Sequence, residues 1–146
     1  MTTILFVCTG NTCRSPMAAC LMNHLLQEAG LTEYRAISAG TDAWDGQLAS
    51  GGAQRTMLRY KLPLAEHRSR TVTQELLDQV QLVYCVSQRH ADTLARRFSH
   101  LPPVRCFSPA IPDPFGGTDE EYARCAAAMK DQLAAFLEEL RTPSGA

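Results

Sequence analysis

From Thr3 to Val7 a short β-branched and aromatic run leads through a glycine-containing turn into Ser15-Pro16, a cap and first-turn pair from which a helix can start. Few architectures accommodate a strand, a tight loop and a helix in such quick succession, and layered α/β structures are the main ones. The helix places Met17, Leu21, Met22, Leu25 and Leu26 at intervals of three to four residues and stops at Gly30, a residue able to take the left-handed terminating conformation. The alternation continues. Strands are predicted at Arg35 to Ala39, Leu82 to Val86 and Val104 to Phe107, and helices at Gln54 to Tyr60 and Thr73 to Val80. Ser87 can cap a further helix with Ala91, Leu94, Ala95 and Phe98 on one face. Five of the eight prolines and the pair Gly116-Gly117 fall between 102 and 117, which marks a loop. Thr118 and Glu121 are spaced as a capping box. They open a long last helix whose inner stripe runs Tyr122, Cys125, Ala126, Met129, Leu133, Phe136, Leu137 and Leu140, and Thr142 to Ala146 reads as a frayed tail.

Strands separated by helices favour a parallel sheet covered on both faces, with ligands bound at the carboxyl ends of the strands. The predicted fold is therefore a three-layer α/β/α sandwich. No Gly/Ser-rich linker or repeat interrupts the pattern, so residues 1–146 are expected to form a single domain. A chain of 146 residues can bury roughly 70% of its unfolded surface. Fourteen basic and fifteen acidic side chains leave a net charge of −1, too little to recruit nucleic acid or a membrane surface. Ile4 to Val7 is too short an apolar run for a signal peptide or a membrane span, and a cytoplasmic location is expected. Cys8, Cys13, Cys20, Cys85, Cys106 and Cys125 show no C-x-x-C spacing. They are expected to be reduced thiols rather than a disulfide framework or a zinc site.

The loop after the first strand reads Cys8-Thr9-Gly10-Asn11-Thr12-Cys13-Arg14-Ser15, a cysteine and an arginine separated by five residues. Backbone N–H groups of a tight loop, with the positive end of a helix, form a nest for an anion. The planar guanidinium of Arg14 can grip two oxygens of a tetrahedral phosphate seated over Cys8. The same charges would lower the Cys8 thiol and make it a thiolate able to attack phosphorus, with no metal or cofactor required. Such chemistry needs an acid for the leaving group and a base for water. Asp113 is the candidate, because Pro112 and Pro114 stiffen the backbone on either side of it.

Cys8 to Pro16, Ser38-Ala39-Gly40-Thr41 and Asp113-Pro114-Phe115, in this order and at these separations, resemble the low-molecular-weight protein tyrosine phosphatases over essentially the whole chain. The resemblance implies a four-stranded parallel sheet flanked by about five helices, with the phosphate-binding loop after the first strand. It implies Cys8 as nucleophile, Arg14 as phosphate clamp and Asp113 as general acid. Thr9, Gly10, Asn11, Thr12 and Cys13 would form the loop, and Ser15 would hydrogen-bond the thiolate. Ser38 and His67 would hold Asn11 in place, although without the resemblance both read equally as surface polar groups. Cys13 would form a reversible disulfide with the catalytic cysteine. The expected partners are a phosphorylated protein and phosphate, with the enzyme a monomer.

Thr12 stands where most tyrosine-specific members carry a bulky aliphatic residue, and Phe115-Gly116-Gly117-Thr118 follows Asp113-Pro114, both as in the protein-arginine phosphatase branch. The threonine hydroxyl could position a polar group or Asp113 beside a guanidinium. Trp44 points the other way, since it could stack on a phenyl ring, on a guanidinium, or simply cap the core. Phosphoarginine is the favoured substrate and phosphotyrosine the alternative. An arsenate reductase would need a second cysteine beyond Cys85, where Asp92 stands. A non-catalytic phosphate-binding module or a phosphocysteine carrier would have no use for Asp113. Arg55, Arg59, Lys61, Arg68 and Arg70 read as a solvated face, and His24, His90 and His100 receive no role.

Overall fold

The structure of the protein is a computed structural model in which residues 1–142 are described. The elements follow the order β1 (Thr2–Cys8), α1 (Arg14–Glu28), β2 (Tyr34–Gly40), α2 (Gly51–Arg59), α3 (Gln74–Asp78), β3 (Leu82–Cys85), α4 (Gln88–Arg97), β4 (Val104–Cys106) and α5 (Asp119–Arg141). The four strands form one parallel sheet in the order β2-β1-β3-β4. β1 is paired on both sides, with β2 from Thr2↔Tyr34 to Cys8↔Gly40 and with β3 from Ile4↔Leu82 to Val7↔Cys85. The chain leaves β1 for one neighbour and later returns for the other, so the carboxyl end of β1 is a topological switch point where a crevice opens.

Alternation along β1 divides the core in two. Ile4 and Phe6 face α1, α2 and α5, with Met17, Met57, Met129 and Leu133, whereas Leu5 and Val7 face α3 and α4, with Leu77 and Leu94. On the first side Tyr84 stacks on Phe6 at 5.1 Å and meets Phe136 edge-on at 5.2 Å, joining the sheet to α5. With both faces covered, only the strand ends and their loops remain for chemistry. Among the described residues no helix is long and apolar enough to cross a membrane.

The structure departs from the sequence reading in three instructive places. α1 starts at Arg14 with Cys13 at its cap position, and the Ser15 hydroxyl, expected to cap, faces Cys8 instead. α2 begins at Gly51 rather than Gln54. There the Ser50 side chain accepts from Ala53 N–H at 3.2 Å, and Gly52 is retained inside the helix because the Tyr122 ring lies against it. Ser87 precedes α4, but its hydroxyl meets His90 Nδ1 at 2.7 Å rather than a backbone N–H. At the end of α1 the sequence signal is realised. Gly30 has φ +71° and donates to the Gln27 carbonyl, while Leu31 N–H donates to Leu26, the two bonds of a Schellman closure. Of the tail expected from Thr142 to Ala146, Thr142 caps α5 and the rest lies outside the described residues.

Candidate active site

The loop from Cys8 to Arg14 turns back on itself because Asn11 takes a left-handed conformation, φ +57°, uncommon for a non-glycine residue. Its surroundings fix it there. The fully buried Asn11 side chain accepts from Arg70 N–H at 2.9 Å and donates to Ser15 Oγ at 2.9 Å and Ser38 Oγ at 3.0 Å. His67 Nε2 reaches the Asn11 carbonyl at 2.7 Å. Burial pushes the His67 pKa down, opposed by that carbonyl and helped by Arg70 and Arg68, so the ring is neutral with its Nε2–H donated to Asn11. Gly40 completes the setting: a Cβ there would overlap the Thr9 carbonyl, so glycine lets β2 end directly against the loop. Thr41 and Asp42 N–H groups then donate to the carbonyls of Cys8 and Thr9 at 2.8 and 3.0 Å.

Inside this turn Cys8 is only 2% exposed, and its sulfur lies 2.8 Å from Ser15 Oγ and accepts from Asn11 N–H at 3.3 Å. Burial pushes its thiol up from the ordinary value, which differs from the lowered value expected from the sequence. Desolvation outweighs the opposing contributions of the Ser15 hydroxyl, the backbone N–H groups of Ser15 and Asn11, and the Arg14 charge. Every one of those four contacts favours the thiolate, so the site is arranged for an ionised sulfur even though its low-dielectric setting resists the charge.

Arg14 is buried and anchored. Its Nη1 donates to the Ile111 carbonyl at 3.0 Å and its Nη2 lies 3.6 Å from Asp113 Oδ2. The guanidinium thus draws the proline-rich loop over the anion nest and carries Asp113 with it. Asp113 Oδ1 also accepts from Phe115 N–H at 3.1 Å, a local turn that orients the carboxylate. Together Cys8 to Arg14, Trp44, Gln47, Asp113 and Phe115 line a cavity of about 270 Å³. Trp44 is 79% and Phe115 71% exposed, so Trp44 is a wall of this cavity rather than a cap on the core. A larger groove of about 610 Å³ has His67 and Arg70 among its polar lining residues, and these two are already engaged with Asn11 and Ser38.

The candidate site residues Cys8 to Ser15, Ser38, Trp44, His67, Asp113 and Phe115 lie at or directly behind this cavity. The Thr12 hydroxyl lies 3.7 Å from Cys13 Sγ, facing that sulfur rather than Asp113. All six cysteines are free, and buried Cys13 is 3.3 Å from Ser50 Oγ and 3.2 Å from Tyr122 Oη. Tyr122, whose phenol burial pushes up to about 12, reaches Ser50 as well, tying α2 and α5 to the loop. Four contributors were not legible beforehand. Ser50 stood before a Gly-Gly pair, Tyr122 looked like core stripe, Arg70 sat in a basic stretch read as solvated, and His90 was an isolated histidine. In the structure His90 Nε2 lies 2.8 Å from Thr9 Oγ1. No local pattern announces any of them, because each acts through a long-range contact.

The model of one family, Low molecular weight phosphotyrosine protein phosphatase, matches residues 3–144. The chain is 37% identical over 145 residues to the protein-arginine-phosphatase of Geobacillus stearothermophilus, covering 94% of this chain and 92% of that one. It is 30% identical to the protein-arginine-phosphatase of Bacillus subtilis, covering 94% and 96%. The fold superposes with a TM-score of 0.92 on a YwlE arginine phosphatase variant whose active-site serine is phosphorylated, at 27% identity and 98% coverage of both chains. On the Cys8–Arg14 loop, the sheet order and these similarities, the chain belongs to the low-molecular-weight phosphotyrosine protein phosphatase family and is a cysteine-dependent protein phosphatase.

Proposed function

We propose that the protein is a single-domain, monomeric enzyme of the cytoplasm that hydrolyses phosphoarginine in proteins through a phosphocysteine formed on Cys8. The observation that carries the mechanism is the arrangement of the Cys8 sulfur beneath Asn11 N–H and Ser15 Oγ, with Arg14 and Asp113 3.6 Å apart over the same cavity. The Cys8 thiolate attacks phosphorus in line, forming the S–P bond while the bond to the leaving group breaks. Asp113 gives its proton to the departing atom. Loop N–H groups and the Arg14 fork hold the equatorial oxygens as charge shifts among them. Asp113, now a carboxylate, takes a proton from water as that water attacks phosphorus, and phosphate leaves the restored thiolate, stabilised by Ser15.

Preference for phosphoarginine rests on the mouth. Trp44 and Phe115 are exposed aromatic walls of the cavity, suited to stack on a flat guanidinium, and Thr12 leaves room where a bulky aliphatic chain would pack on a phenyl ring. Two relatives that match almost the whole chain, at 37% and 30% identity, are arginine phosphatases, which supports the same reading. The test is kcat/KM on matched phosphoarginine, phosphotyrosine and phosphoserine peptides, with Cys8→Ser as the mechanistic control. Cys8→Ser is expected to abolish turnover, and phosphoarginine to be the best substrate. Thr12→Ile is expected to move the ratio toward phosphotyrosine by about tenfold, one methyl-sized packing difference at the mouth. A wild-type preference for phosphotyrosine overturns the substrate assignment and leaves the nucleophile assignment standing.

A further inference from the structure

His90 is 3% exposed and has both ring nitrogens engaged, Nδ1 with Ser87 Oγ at 2.7 Å and Nε2 with Thr9 Oγ1 at 2.8 Å. Burial, assisted by Arg14 and Arg89 and only partly offset by Asp113 and Asp42, pushes the ring down to about 4. A neutral imidazole has one donor and one acceptor, so it joins the two hydroxyls into a directed chain from α4 to the residue after the nucleophile. A histidine buried merely as filler would carry a desolvation cost that a leucine avoids. Here both nitrogens are satisfied, and one partner belongs to the anion nest.

The other end of α4 reaches the same place. Arg97 donates to the Thr41 carbonyl at 2.7 Å and pairs with Asp42 at 3.1 Å, and the N–H groups of Thr41 and Asp42 hold the Cys8 and Thr9 carbonyls. α4 contributes no residue to the cavity, yet it grips Cys8-Thr9 from two sides. From this geometry we infer that His90 is a positioning residue, which orders the Thr9 side chain and sets the first turn of the loop for catalysis. The inference rests on Cys8 being the nucleophile and concerns only how its loop is held.

A double-mutant cycle on Thr9 and His90 tests it, read as kcat/KM on p-nitrophenyl phosphate and as the inhibition constant for inorganic phosphate. Thr9→Val and His90→Phe should each lower kcat/KM by about tenfold, the worth of one ordered hydrogen bond, and weaken phosphate inhibition in parallel. The double variant should fall no further than the weaker single one. His90→Gln, whose amide can reach the Nε2 position but not Ser87, should recover most of kcat/KM while its thermal midpoint stays lowered. A merely structural histidine would lower the midpoint of all His90 variants without this recovery. Losses that multiply in the double variant, or wild-type kcat/KM in Thr9→Val, overturn the inference. If His90→Phe does not fold, Thr9→Val and His90→Gln still decide it. Failure of the nucleophile assignment would show separately, as turnover retained by Cys8→Ser.

Discussion

At the scale of single residues, the site is a contest between desolvation and donors. Burial raises the Cys8 thiol, and the Ser15 hydroxyl is the largest contribution acting against that rise. Removing it in Ser15→Ala takes away a lowering contribution, so the thiol must move higher still. The acid limb of the kcat/KM profile should shift to higher pH by about 1–2 units, the worth of a hydrogen bond to a charged group. Ultraviolet absorbance of the thiolate against pH checks this independently of turnover. Asp113 gives a second residue-level expectation, from its place over the cavity and 3.6 Å from Arg14. Asp113→Asn should slow a phenyl phosphate ester by about 10²–10⁴ but p-nitrophenyl phosphate much less, because the better leaving group needs little protonation. Equal losses on both esters would remove Asp113 from the role of acid.

Among the elements, α2 and α5 show how packing overrides local propensity. Gly51 and Gly52 precede the helix expected from Gln54, and exposed helical glycines are ordinarily improved by alanine by about 1 kcal/mol. Gly52 is the reverse case. A Cβ at this position would enter the Tyr122 ring, and the ring is held by its Oη contacts with Cys13 at 3.2 Å and Ser50 at 3.1 Å. Gly52→Ala should therefore destabilise by about 1–3 kcal/mol despite its better helix propensity. Chemical denaturation measures the loss, and an unchanged or raised midpoint would show that α5 yields. The same pair explains why α2 was placed too late from sequence. Its cap, Ser50, precedes two glycines, of which Gly52 is made necessary by the Tyr122 ring.

For the whole molecule, the relevant quantity is the coupling between an anion in the nest and the stability of the fold. Cys8, Asn11, Arg14 and Ser15 are buried at the junction of β1 and α1, so an oxyanion that binds them must bind the folded chain and not the unfolded one. Phosphate or vanadate at a hundred times its dissociation constant should stabilise the protein by about 2.7 kcal/mol. Arg14→Ala should lose most of that ligand-dependent increment in thermal unfolding. An increment of wild-type size in Arg14→Ala would place the anion elsewhere.

The order of strands and helices, the loop that follows β1 and the choice of Cys8, Arg14 and Asp113 as the candidate reactive set are legible in the sequence alone. Each is written in contiguous patterns: alternating periodicities, a cysteine and an arginine at fixed spacing, and an aspartate between two prolines. What only the tertiary structure decided is the environment of those groups. Burial of Cys8 raises a thiol that local charge suggested would be lowered. Asn11 is held left-handed by Ser38, His67 and Arg70, residues between 27 and 59 positions away in the chain. His90 reaches Thr9 across 81 positions, and Tyr122 reaches Cys13 across 109. Desolvation and long-range hydrogen bonds depend on which distant side chains share a volume, and no window along the chain encodes that.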